Sequence, residues 1–227
     1  MWAVMKKELK SYFYSPIGYV FIGLFLAIFS FIFYITTIIQ GAVTYQYVFF
    51  YSVIYIVIFL IPLLTMRTFA EERKNGTEQI LMTAPRSAVA IVLGKFLAAL
   101  VVIAITELFT LIYLGIICYF KTPDIPTVLV TMFGFLITSM AYISLGMFIS
   151  SLTENQIIAA ISTIAIFVLA WLAPSISTKL TAISLIEKFY PFATGVFPIT
   201  ETISLISITA MFVALTMVVI KRRKLVK

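Results

Sequence analysis

Six apolar runs of membrane-spanning length dominate this sequence and restrict what it can fold into. Crossing the hydrocarbon core takes about 20 mostly apolar helical residues. Such runs fall at 17–39, 47–66, 89–119, 128–150, 156–173 and 203–220. A soluble domain covers its core with charge, commonly about a quarter of its residues. Here 11% of the 227 residues are charged and 63% are hydrophobic, so lipid must be the solvent for most of the surface. The expectation is an all-α, polytopic membrane protein forming one transmembrane domain over 1–227.

The charges that remain are unevenly placed. Lys6, Lys7 and Lys10 precede the first run; Arg67, Arg73, Lys74, Arg86 and Lys95 lie between the second run and the start of the third; Lys221, Arg222, Arg223, Lys224 and Lys227 follow the sixth. The alternate loops hold Lys121, Lys179 and Lys188 alone. Because Lys and Arg accumulate on the cytoplasmic side, six crossings with both termini cytoplasmic is the preferred topology. The first run is too long for the apolar part of a cleaved leader, and it is expected to stay as an anchor.

Four details qualify this picture. The third run is long for one crossing, with Lys95 near its start and Glu107 inside, so either its first turns lie in the headgroup region or the helix tilts. Pro62 can kink the second run, and Gly134 and Gly146 suit close helix contact. Residues 175–200, with Pro191, Gly195 and Pro198, could enter the outer leaflet without crossing if protein shields their backbone.

Several function classes drop out. The absence of His removes H-E-x-x-H zinc sites, Ser-His catalysis and His-liganded metals, so no catalytic or metal-binding residue is assigned. The lone Cys118 cannot form an internal disulfide. Basic residues flank apolar spans instead of lining a polar face, which argues against nucleic acid. Repeated halves or broken helices, expected of many secondary transporters, are not evident.

The most polar stretch is "RTFAEERKNGTEQILMTAPRS", residues 67–87. Good helix formers fill 69–83, Asn75 and Gly76 interrupt them, and Pro85 stops the pattern. Thr77 is a candidate N-cap for a short turn over 78–82. Phe69, Ile80, Leu81 and Met82 would anchor the stretch, leaving Glu71, Glu72, Arg73, Lys74 and Glu78 to water or another protein. The residues alone leave open a solvated turn or a docking element, although a plain connector could be much shorter.

"EERKNGTEQILMTAPRSAVAIVLGKFLA", residues 71–98, resembles the permease subunits of type-2 ATP-binding-cassette (ABC-2) transporters: an acidic pair, a basic residue, Gly-Thr, an acidic residue, a Leu-rich turn, Pro-x-Ser and Gly-Lys. "KKELKSYFYSPIGYVF", residues 6–21, is similar to that family's amphipathic N-terminal helix, and residues 190–224 resemble its last span and basic tail. The nearest subgroup is the compact six-span set that includes permeases of gliding motility and of nitrous-oxide-reductase maturation.

The resemblance implies a bacterial inner-membrane permease in which the segment after the second span is a cytoplasmic coupling helix. Arg67, Phe69, Glu71, Glu72, Arg73, Gly76, Thr77, Glu78 and Leu81 would form that coupling site. Its partners would be cytoplasmic ABC ATPase subunits, a second copy or related permease, and a periplasmic or membrane accessory protein. ATP and Mg2+ would sit on the ATPase, since the chain has no G-x-x-x-x-G-K-[ST] of its own. Either cargo is exported, or conformational change passes to a periplasmic partner and nothing crosses. Few polar residues in the spans favour an amphipathic, lipid-like or peptide cargo.

Lys6, Lys7 and Lys10, set among Trp2, Val4, Leu9, Tyr12 and Phe13, suit an interfacial helix. Glu107 lies deep in the third run, where exposing its charge to lipid would cost at least about 2.5 kcal/mol. It is expected to face protein or water, as a pathway or interface residue or as a carboxyl bonded within the bundle.

Overall fold

A computed structural model describes the chain apart from residues 42–43, 79–86, 178–180, 182–183 and 227, and apart from the side chains of 224–226. Among the described residues the regular structure is helical. Six helices are long and apolar enough to cross a membrane: Pro16–Ile39, Tyr45–Lys74, Ala88–Phe120, Ile125–Leu152, Gln156–Ile176 and Ile199–Arg223, called here the first to sixth spans.

A separate N-terminal helix, Trp2–Tyr14, precedes them. Ser15 stops it, because a residue before proline is driven out of the α region, and Ser15 is extended at φ −98°, ψ 152°. Pro16 then opens the first span, where its missing N–H costs nothing. The Ser87 hydroxyl caps the third span by accepting from the Ala90 amide at 3.2 Å, and the Asn155 side chain caps the fifth by accepting from Ile157 at 2.9 Å.

The fourth span is the central post. It packs against the second, third, fifth and sixth spans, and two of its glycines permit that closeness. A Cβ at Gly146 would overlap the Thr65 side chain of the second span, and one at Gly134 would overlap the Phe192 ring. Rings from three spans interlock beside it, with centroids 5.0 Å apart for Phe29 and Phe49, 5.3 Å for Phe49 and Phe135, and 5.9 Å for Phe25 and Phe135.

Pro62 does not break the second span. A wider π turn, Ile56–Leu60, precedes it and absorbs the clash that a proline ring makes with the turn before it. At the opposite end from the N-terminal helix, a short helix at Tyr190–Ala193 tucks into the bundle. Phe189 and Phe192 are fully buried, and the Thr131 hydroxyl donates to the Phe192 carbonyl at 3.1 Å. Thr131 lies about 9 Å along the fourth span at 1.5 Å per residue, so this segment packs into the bundle beside that helix with its backbone shielded by protein.

Candidate coupling site

The polar stretch begins as a direct extension of the second span. The hydropathy of the sequence falls away at Met66, but the helix does not: Arg67–Lys74 continues from it after a turn at Met66. Its first amides need acceptors, and the fourth span supplies one. The Phe69 and Ala70 N–H groups both donate to Ser150 Oγ at 3.2 Å, while Ser150 donates to the Met66 carbonyl at 3.0 Å. Arg67 grips Glu71 one turn on through two bonds of 2.6 and 2.5 Å.

The helix ends where the sequence suggested. Gly76 adopts φ +69°, a left-handed conformation that glycine alone takes without penalty. The Thr77 hydroxyl donates back to the Glu72 carbonyl at 3.3 Å, closing the preceding helix. The turn expected over 78–82, with Ile80, Leu81 and Met82, lies outside the described residues except for Glu78.

Two ion-pair groups hold this extension from opposite sides. On one side Lys95, from the third span, sits 3.0 Å from Glu72 and 3.1 Å from Glu8 of the N-terminal helix, with its ammonium 5.3 Å from the Phe69 ring centroid. Lys7 closes the same group from outside, 3.3 Å from Glu72 and 3.7 Å from Glu8. Burial pulls the Lys7 ammonium down, but the Glu72 and Glu8 carboxylates outweigh it and hold its pKa above the ordinary value. On the other side Arg73 pairs with Glu154 of the loop between the fourth and fifth spans at 2.5 Å and approaches Glu78 at 3.7 Å. Arg223, at the end of the sixth span, reaches Glu78 at 3.3 Å and donates to the Ser151 carbonyl.

Lys95 finds its partners within the protein. Its side chain is 1% exposed and held in a salt-bridge group. Glu8, Lys95, Ser150, Glu154 and Arg223 join Glu72, Arg73 and Glu78 in a network that local reading missed. The available signal was Lys95 itself, because a cation at the start of an apolar helix demands a partner if it is buried.

Lys6 and Lys10 are exposed on the N-terminal helix, whereas Val4 and Tyr12 are buried. Burial, with help from the Glu8 carboxylate, pushes the Tyr12 phenol well above its usual pKa, so it stays protonated and donates to the Leu64 carbonyl at 3.3 Å. Glu107 stands apart from this network. It faces protein at 1% exposure, its backbone carbonyl accepts from Thr110 at 2.6 Å, and its Oε1 has no hydrogen-bond partner among the described residues.

Lys7, Arg73 and Arg223 join segments from both termini and both even-numbered loops at one end of the bundle, as six crossings require. Residues 40–221 match the model of the ABC-2 family transporter protein. The chain belongs to that family. It is a multi-pass ABC-2 membrane protein, a permease component whose family works with ABC ATPase subunits. The match includes the polar stretch and Lys95, and it starts after the N-terminal helix and the first span. No curated protein and no solved structure matches this ABC-2 chain.

Proposed function

We propose that this permease is driven from the cytoplasm by a separate ATPase that docks on residues 71–82 and passes its closing motion to the spans. The observation that carries this reading is the continuous helix from Tyr45 to Lys74. A force applied at its polar end acts on a helical segment that runs through the bundle, and the flanking ion pairs tie that end to its neighbours. Mixed charge on the stretch suits selection of a partner surface. ATP and Mg2+ belong to the partner subunit.

In this reading both termini face the cytoplasm of a bacterial inner membrane, and two permease halves work on two ATPases. The moving spans would change access for an amphipathic or lipid-like cargo. A groove of about 620 Å³ between the first, second and fifth spans, lined by Ile35, Thr36, Tyr55 and Trp171 among others, supports that class because it is largely apolar.

The test is purification of the tagged chain from its native membrane. A stoichiometric ATPase should accompany it, and Lys74→Glu, at an exposed position on the stretch, should reduce that recovery while the protein still inserts. Labelling of residue 75 or 76 from the outer face of the membrane would overturn the reading.

A further inference from the structure

We propose that Lys95 is a positioning residue that fastens the N-terminal helix to the extension of the second span, making the two a single moving body. The functional consequence rests on the ATPase-coupling reading above; the fastening itself does not.

The N-terminal helix meets the bundle along one stripe. Val4, Glu8 and Tyr12 follow at four-residue intervals, which places them on one face of a helix. Each has its own partner. Val4 lies against Gly94 so closely that a Cβ there would stand 2.8 Å from the Val4 Cβ. Glu8 meets Lys95 at 3.1 Å, and Tyr12 donates to the Leu64 carbonyl at 3.3 Å. A helix held only by lipid needs no such set of contacts.

Lys95 is the member that reaches across. An ammonium has three protons to place, and here one carboxylate from the N-terminal helix, one from the second-span extension and one aromatic face surround it. Without that cation Glu8 and Glu72 would face each other with like charge. Lys7 is a poor substitute, since its side chain is 62% exposed and water competes for it. Apolar packing alone would allow the N-terminal helix to slide along the third span; a charge shared by two segments specifies one register. Displacement of the extension Arg67–Lys74 is thereby carried to the N-terminal helix through protein.

The test uses the full chain in lipid nanodiscs, with Cys118→Ser removing the single native thiol and spin labels on Lys10→Cys and Lys74→Cys, both exposed positions. The labelled protein should give one narrow distance. Lys95→Gln should at least double the width of this distance distribution, and the triple reversal Glu8→Lys, Glu72→Lys and Lys95→Glu, which again sets one charge between two of opposite sign, should bring the narrow distance back, which a general loss of packing would not allow. If Lys95→Gln does not fold, Glu8→Gln gives the same reading from the partly exposed side of the pair. An unchanged narrow distance in the foldable variant overturns the fastening.

A second arm uses the complex with its co-purified ATPase and a reference label at Ile176→Cys, exposed at the far end of the fifth span. Trapping with ATP and vanadate should shift the distances from Lys10 and from Lys74 to Ile176 together, leaving Lys10 to Lys74 unchanged. In Lys95→Gln the Lys10 shift should vanish while the Lys74 shift persists. A Lys10 to Lys74 distance that changes on trapping overturns the single body. Absence of any bound ATPase counts against the coupling reading, and the first arm still decides the fastening.

Discussion

Lys95 and Glu107 are both buried ionisable side chains on the third span, and the protein treats them in opposite ways. Lys95 has two carboxylates within 3.1 Å and a ring beneath it, whereas Glu107 has a carboxyl oxygen with no hydrogen-bond partner among the described residues. Removing a charged group from low dielectric surroundings matters in proportion to what it compensates. Lys95 neutralises two segments that would otherwise repel, so its loss is felt in both. Glu107 compensates nothing among the described residues, and its position has to be explained by something other than holding the bundle together.

The largest effect should therefore follow Lys95→Met. Leaving Glu8 and Glu72 without their shared cation costs on the order of 3–5 kcal/mol, the range for breaking a buried pair by removing one partner. Thermal unfolding of the purified protein in lipid would show it as a marked drop in midpoint. Adding Glu8→Gln should return part of the loss, because one of the two stranded charges goes with it. If the double variant were no more stable than the single, the two carboxylates would not be in communication through Lys95, and the contrast with Glu107 would weaken.

Ser150→Ala sharpens the comparison from the uncharged side. Ser150 accepts from two helix amides and returns one bond to Met66, so its removal should cost about 1–2 kcal/mol, as losing a good helix cap does. Hydrogen exchange at Phe69 and Ala70 should rise in this variant and remain unchanged in Glu107→Gln. Exchange unaltered at both amides would mean that the fourth span does not hold the extension.

The sequence disclosed the spans because hydropathy is a local property, readable wherever about 20 apolar residues follow one another. The end of the second span was less legible. Hydropathy stops at Met66, but backbone hydrogen bonding continues to Lys74 and yields only at Gly76, where φ turns positive. The coupling site was half visible for a different reason. Glu72, Arg73 and Glu78 stand together in the sequence, but their partners Glu8, Lys95, Glu154 and Arg223 lie far along the chain, and only folding assembles them. The segment at 184–196 was legible as irregular, while its packing depended on Gly134 and Thr131 in another helix.

Lys7 offers a smaller test of the same cluster through pH. Its pKa is held above 10.5 in the folded protein, so as pH rises the unfolded chain releases this proton first. The stabilisation is complete below about pH 10.5 and is lost as pH climbs through the higher folded value. Because the side chain is 62% exposed, the contribution should stay within about 1 kcal/mol. Lys7→Met should flatten this alkaline loss without altering stability by more than that amount at neutral pH. A steeper fall in the variant than in the parent would place the titrating group elsewhere.

Glu107→Gln should have the smallest effect on stability, under about 1 kcal/mol, the scale of one ordinary hydrogen bond. The amide keeps the shape of the carboxyl, Oε1 gives up no bond, and no cation is left unpaired. The neighbouring Tyr45 and Thr110 hydroxyls already bond each other at 2.6 Å, so they do not depend on the carboxyl. Measured beside Lys95→Met, an equal fall in unfolding midpoint would break the comparison, because it would require a counter-charge near Glu107. With stability retained, turnover of the ATPase complex separates the remaining roles. A wild-type rate leaves Glu107 as a packed carboxyl, and a reduced rate marks a group that the moving spans use, since nothing in the static bundle would have changed.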